Sequence, residues 1–326
     1  MAGESRQTGV LLVMAASGLA VGGLSAVQAR ANGTLAGEVG SGIEAAAFSF
    51  AVGLTLLTMI GLTVSRVRRG LVTLVTAIRS GSQPRWIALG GISGALFITT
   101  QSLSVPVIGV ALFSVALVGG QIAASLLVDS RGWSPRGRQP ISSSRVLAAL
   151  LGLGAVAAAA SGRWDEGVGA VGWAILCVVT GAAVAWQQAA NGRATAVTRE
   201  PLVAAWINFM LGFVLVLIVL TISILLGRLE PQAPPSGPPW LYIGGVIGAL
   251  FLAATAWIVG RIGVLAVTLL VTAGQLAGAL VLDLLLTDVV DGHLVVGVLV
   301  AFVAVVTGGL GDRRAAARAA TSQSTS

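Results

Sequence analysis

The sequence predicts an all-α membrane protein of ten transmembrane helices, built as two inverted five-helix repeats with both termini in the cytoplasm. Three observations carry this expectation. Of the 326 residues, 56% are hydrophobic and 10% charged, and mean hydropathy is +0.95, whereas a soluble domain carries about 25% charged residues. Apolar runs of about 17–25 residues recur along the chain, the length that crosses about 30 Å of hydrocarbon as helix. The alternating strands of about ten residues that mark a closed barrel are missing. Finally, the chain repeats itself: Gly22 to Gly53, moved on by 159 positions (187 − 28), falls on Gly181 to Gly212. Gln28 then meets Gln187, Asn32-Gly33 meets Asn191-Gly192, Phe50 meets Phe209 and Gly53 meets Gly212. A repeat of this kind dictates the architecture.

The elements follow in order. Helix 1 is expected over 9–29 and helix 2 over 43–64, then a basic connection with Arg66, Arg68, Arg69, Arg79 and Arg85. Residues 1–29 imitate a signal peptide, but the matching segment before Gln187 lies mid-chain, so both are read as retained helices. Helix 3 is expected over 86–102 and helix 4 over 105–128, opening at Pro106. A second basic loop carries Arg131, Arg136, Arg138 and Arg145, and helix 5 covers 146–161. The short segment Arg163-Trp164-Asp165-Glu166 joins the halves. Helices 6 and 7 are expected over 168–190 and 201–226, then a proline-rich connection over 230–240. Helices 8, 9 and 10 are expected over 240–258, 262–286 and 293–310. The first repeat is thus residues 1–162 and the second 163–310, with a disordered cytoplasmic tail over 311–326.

The later helices repeat at a shift of 154 (240 − 86). Trp86 meets Trp240, Gly109 meets Gly263, Gly120-Gln121 meets Gly274-Gln275 and Asp129 meets Asp283. All nineteen basic residues are Arg, giving a net charge of +7. Only Arg30, Arg163 and Arg228 fall on the side opposite the N-terminus, a positive-inside pattern that puts both termini in the cytoplasm. The arginines sit between apolar runs, which points to topology and lipid headgroups rather than nucleic acid. Five helices per repeat is an odd number, so the second half enters the membrane inverted. That is a recurrent transporter design, with the substrate between the halves.

The candidate site residues are amides. Gln28 and Gln187 lie in apolar helices, with Asn32 and Asn191 four residues later on the same face, so each pair forms one polar stripe. Gln121 and Gln275 form a second symmetric pair within helices 4 and 9. Substrate contact is one reading of these six residues; helix capping and interhelical hydrogen bonding is the other. For a coupling proton the candidates are Glu44, Asp283 and Asp129, all near helix ends. Gly90-x-x-x-Gly94, Gly244-x-x-x-Gly248 and Gly274-x-x-x-Gly278 read as close helix contacts. Trp86, Trp133, Trp164 and Trp240 read as interface anchors, while Trp173, Trp186, Trp206 and Trp257 are the aromatics available to a cage. The lone His293, near Asp288 and Asp291, makes a poor metal site, and no metal or cofactor is expected. Cys177, the single cysteine, reads as a small core residue.

Ten helices in two inverted sets of five resemble the drug/metabolite transporter (DMT) superfamily. The Q-x-x-x-N-G after helix 1, the F-x-x-G of Phe50 and Gly53, and the G-Q…D of Gly120, Gln121 and Asp129 resemble its YdcZ-like inner-membrane exporters. Members often occur as one five-helix unit; this chain looks like a fused pair over residues 9–310. The resemblance implies a bacterial inner-membrane exporter moving a small solute. The expectation is therefore a secondary transporter of a small polar or amphipathic solute, coupled to a proton or cation or uncoupled, as monomer or homodimer in the lipid bilayer. The alternatives are a non-transporting assembly partner or a lipid-modifying membrane enzyme. One His and one Cys leave little from which to build a catalytic group, so the chain is not read as an enzyme.

Overall fold

In the computed structural model the apolar runs fold as helices, and residues 2–133, 135, 137–138, 141–161, 168–262, 264–286 and 292–307 are described. Among these residues there is no strand. The helices are α1 (Ala2–Val39), α2 (Gly42–Thr63), α3 (Ser65–Arg79), α4 (Gly90–Ser130), α5 (Ser143–Ser161), α6 (Val168–Thr198), α7 (Pro201–Leu225), α8 (Ile243–Ile262), α9 (Val264–Leu286) and α10 (Gly292–Thr307). Single 3₁₀ turns, Arg85–Ala88 and Pro239–Tyr242, precede α4 and α8. By length and composition α2, α4, α5, α6 and α7 qualify as membrane spans, and α8, α9 and α10 hold shorter apolar stretches. The joining segment Arg163–Glu166, Arg136, Gly263, Asp288, Asp291 and the tail lie outside the described residues, as do the side chains of Arg6, Trp257 and Arg261.

Local chemistry sets the helix ends. α1 stops at Gly40, which turns at φ 73°, and Ser41 caps α2 by accepting the Glu44 N–H at 3.2 Å. Glu200 caps α7, with Pro201 fixing the first helical φ.

α1 and α6 run on past their expected ends at 29 and 190 to Val39 and Thr198, so both Q-x-x-x-N-G motifs lie inside helices. Two further features differ from the sequence-based expectation. The first basic connection is itself a helix: α3 buries Val67, Gly70 and Leu74 on one face, at the i, i+3, i+7 period. Val67 and Leu74 pack in one cluster with Ala194, Val203 and Ala204, while Arg66, Arg68 and Arg69 stay exposed. Helices 3 and 4, expected as separate elements, run through α4 and part at Gly109, whose φ of 77° and ψ of 167° no helix contains. Beyond this break the Ala111 N–H loses its place in the helical ladder and donates to Asp283 Oδ2 at 3.2 Å. A carboxylate there caps the second arm of α4 and opposes its dipole.

α4 is the central element: most of its side chains are buried, whereas those of α7 are largely exposed or half-buried. Its second arm, Val110 to Val118, is enclosed and forms the main core with residues of α1, α5, α6, α9 and α10. Glycine allows the closest approaches. A Cβ at Gly181 would stand 2.0 Å from Leu117 O, and one at Gly120 2.0 Å from Val178 O, so α4 and α6 touch backbone to backbone. α1 and α9 meet the same way: a Cβ at Gly22 would stand 2.0 Å from Val271 O, and one at Gly274 2.1 Å from Leu19 O. The shifts of 159 and 154 that relate the sequences also relate these two contacts, residue for residue.

Candidate transport site

The two glycine motifs of α4 and α8 are the seats of the two Q-x-x-x-N stripes. A Cβ at Gly94 would stand 3.1 Å from Gln187 Nε2, and one at Gly90 2.9 Å from Asn191 Oδ1. On the other side, a Cβ at Gly248 would stand 2.8 Å from Gln28 Nε2, and one at Gly244 2.1 Å from Asn32 Oδ1. Amides four residues apart on one helix thus lie on glycines four residues apart on another. Each time, the amides come from one half of the chain and the glycines from the other. Removing the Cβ at these positions gives a carboxamide room between two packed helices. Close helix contact was the expectation for these motifs; the structure adds what fills the contact.

Gln28, Gln187, Gln121 and Gln275 all line one cavity of about 110 Å³, together with Asn191. Asn32 does not reach it. Its side chain is fully enclosed and its Nδ2 donates to Gln101 Oε1 at 2.6 Å. The cavity wall keeps the repeat relation: Phe50 and Phe209, an edge-to-face pair with centroids 5.4 Å apart, face it, as do Phe97 and its counterpart Phe251. The aromatics are phenylalanines; Trp173, Trp186 and Trp206 lie elsewhere, Trp206 donating its indole N–H to Thr58 Oγ1 at 3.0 Å.

The main residue that sequence reasoning missed is Asn208 of α7. It is 4% exposed, its Oδ1 accepts from Gln187 Nε2 at 2.7 Å, and its Nδ2 donates to Asn191 Oδ1 and to Ala204 O. Asn208 therefore fixes the second Gln/Asn stripe. Its counterpart in the first half is Ser49 (208 − 159), so the repeat gave no match to point at it. Gln188 and Thr272, also in the wall, face Ala29 and Val118 in the alignment and were hidden for the same reason.

The three candidate acids are not part of the cavity wall. Glu44, buried in the first turn of α2, accepts the Gln232 N–H at 2.9 Å, which ties the proline-rich connection to the helix. Asp283 caps the break in α4, and Asp129 forms an ion pair with Arg145. Arg193 donates to the carbonyls of Gly132 and Trp133 and lies over the Trp86 ring at 5.4 Å; that ring also packs against Trp133 and Trp186. Trp86 and Trp133 thus join an arginine-stapled cluster, whereas Trp240 is exposed. Cys177 is buried in the core beside Ser104. Among the described residues no group of three metal-ligating side chains occurs.

The model of the family described as "Putative inner membrane exporter, YdcZ" matches residues 13–158 and again 172–311. The chain belongs to this family. It is an exporter family of the inner membrane and not an enzyme family, so the chain is a multi-pass inner-membrane protein with a transport role. The double match coincides with the two halves found by the internal repeat. No curated protein matches the chain at a significant level. A solved structure described only as "Crystal structure of protein" is similar over 93% of this chain and 97% of its own, with a TM-score of 0.57 at 19% identity. At that identity the likeness speaks for the fold alone.

Proposed function

We propose that this chain is a secondary transporter, an exporter of a small polar or amphipathic solute, working by alternating access between two inverted five-helix repeats. One observation carries the reading: glutamines from both repeats converge on a single cavity. The reciprocal glycine contacts support a pseudo-two-fold relation between residues 1–162 and 163–310. In such a design each half can take the shape of the other, which exchanges the open side. α4 counts as two crossings divided at Gly109 and α3 as a surface helix, which makes ten crossings with both termini and the 311–326 tail cytoplasmic. Gln28, Gln187, Gln121, Gln275 and Asn191 contact the solute, with Asn208 holding two of them in place. Asn32 is the mirror position of Asn191 and takes its role when the halves exchange shape. Glu44, Asp283 and Asp129 are the carboxylates available to a coupling proton. The assembly-partner alternative expects a packed midplane, which the cavity disfavours.

The test is solute and proton flux in sealed proteoliposomes across a panel of metabolites and cations, with wild type against Gln28→Ala/Gln187→Ala. Solute-dependent flux that the double variant loses is the expected result. Flux that survives the substitutions removes the site assignment. If neither proton flux nor solute counterflow appears with any compound, the assembly-partner reading replaces this one.

A further inference from the structure

The cavity also carries information about charge. Seven carboxamides line it: Gln28, Gln121, Gln187, Gln188, Gln275, Asn191 and Asn208. Ser25 and Thr272 add hydroxyls and four phenylalanines add apolar faces, but none of the described lining residues is Asp, Glu, Lys, Arg or His. Like Gln187, two further glutamines are more than nine-tenths buried, Gln28 at 3% exposure and Gln275 at 6%. Neither amide has a hydrogen-bond partner among the described residues, nor do those of Gln121 and Gln188, whereas Gln187 is held by Asn208. A buried amide left unpaired is costly, and each offers two donors and two acceptor lone pairs without any net charge.

The surrounding charges are engaged elsewhere. Glu44 holds the Gln232 N–H, Asp283 the Ala111 N–H, Asp129 pairs with Arg145, and Arg193 is spent on two carbonyls and the Trp86 face. An ion entering the cavity would lose its hydration without meeting a counter-charge, and the interior repays none of that loss. A neutral solute meets no such penalty, because amides pair with its donors and acceptors alike.

Resting on the transporter reading above, we propose that the site takes an uncharged solute, one that bears amide or hydroxyl groups on one edge and presents a flat apolar face to Phe50, Phe97, Phe209 and Phe251. The phenylalanine faces would also attract an aromatic cation. A cation is therefore the sharpest competitor, and the experiment includes one.

The test uses three probes of nearly the same shape: benzamide, benzoate and benzamidinium. Their binding to the purified full-length protein in lipid nanodiscs is measured by ligand-observed NMR. Benzamide is expected to bind at least tenfold more tightly than either ion, and Gln28→Leu/Gln275→Leu is expected to abolish the difference. Gln121→Met, at a half-buried wall position, guards against a double variant that fails to fold and should weaken benzamide alone. Benzoate or benzamidinium binding as tightly as benzamide, and lost in the same variants, would overturn the neutral-solute class while leaving the cavity as the transport site. Binding of no probe, or binding that ignores all three substitutions, would overturn the class and the site together.

Discussion

Gly120→Ala places a methyl group where the structure has only backbone. The new Cβ would stand 2.0 Å from Val178 O and 2.8 Å from its carbonyl carbon. Ordinary van der Waals contact begins near 3.4 Å, so α4 and α6 must part by about 1.4 Å (3.4 − 2.0) along that line. A gap of 0.5–1 Å already forfeits about a quarter to a half of each dispersion contact, and overpacking a close interface costs about 1–3 kcal/mol. Gly154→Ala in α5 is the control, because a Cβ there meets nothing within 4 Å; in an exposed helix that change is neutral or gains up to about 1 kcal/mol. Unfolding in mixed micelles with increasing denaturing detergent measures both. Gly120→Ala should unfold at clearly lower denaturant and Gly154→Ala should not. Gly274→Ala should match Gly120→Ala, since its Cβ would stand 2.1 Å from Leu19 O in the corresponding contact. Equal midpoints for Gly120→Ala and Gly154→Ala would refute backbone-to-backbone packing as the basis of the core.

Three further outcomes are expected. Asn208→Ala leaves the Gln187 amide and Asn191 Oδ1 without their partner, so stability should fall by about 1–2 kcal/mol in the same unfolding assay; an unchanged midpoint would mean that the network contributes nothing. Asp283→Ala removes the cap beyond Gly109 and should cost about 0.5–2 kcal/mol, with faster hydrogen exchange at the Ala111 amide that Asp283→Asn restores in part. Glu44→Ala should release the proline-rich connection, seen as faster exchange at the Gln232 amide, while Glu44→Gln keeps an acceptor in place and retains protection; equal exchange in both variants would show that the carboxylate does not hold the strap.

Much of the fold was legible because it is written twice. The two shifts pair Gln28 with Gln187 and Gln121 with Gln275, and these four residues meet in space although no local pattern requires it. What stayed hidden was of another kind. Asn208 aligns with Ser49, and a repeat can flag only positions where both copies kept the same chemistry. α3 read as a loop because its arginines dominate its composition, yet Val67, Gly70 and Leu74 carry a helical period across them. The division of α4 was expected near Pro106, a helix-opening residue, whereas the break falls three residues later at Gly109. There the unusual φ and the distant Asp283 cap act together, and no window of sequence contains both.

The pairing of α1 with α9 sets a problem in time. α1 ends at Val39 and α9 begins at Val264, so 224 residues (264 − 39 − 1) are made between the two helices that share the Gly22 and Gly274 contacts. At about 5–20 residues per second, the first helix waits about ten to forty-five seconds before its partner emerges. α4 and α6 are separated by only 37 residues (168 − 130 − 1). The order of synthesis therefore favours one glycine seam over its twin: both helices of the α4–α6 seam are made before the first residue of α9. Until α8 and α9 are made, Gln28 has neither Gly248 nor the completed cavity to receive it, and the nascent protein, or the machinery that handles it, has to shelter an unpaired amide.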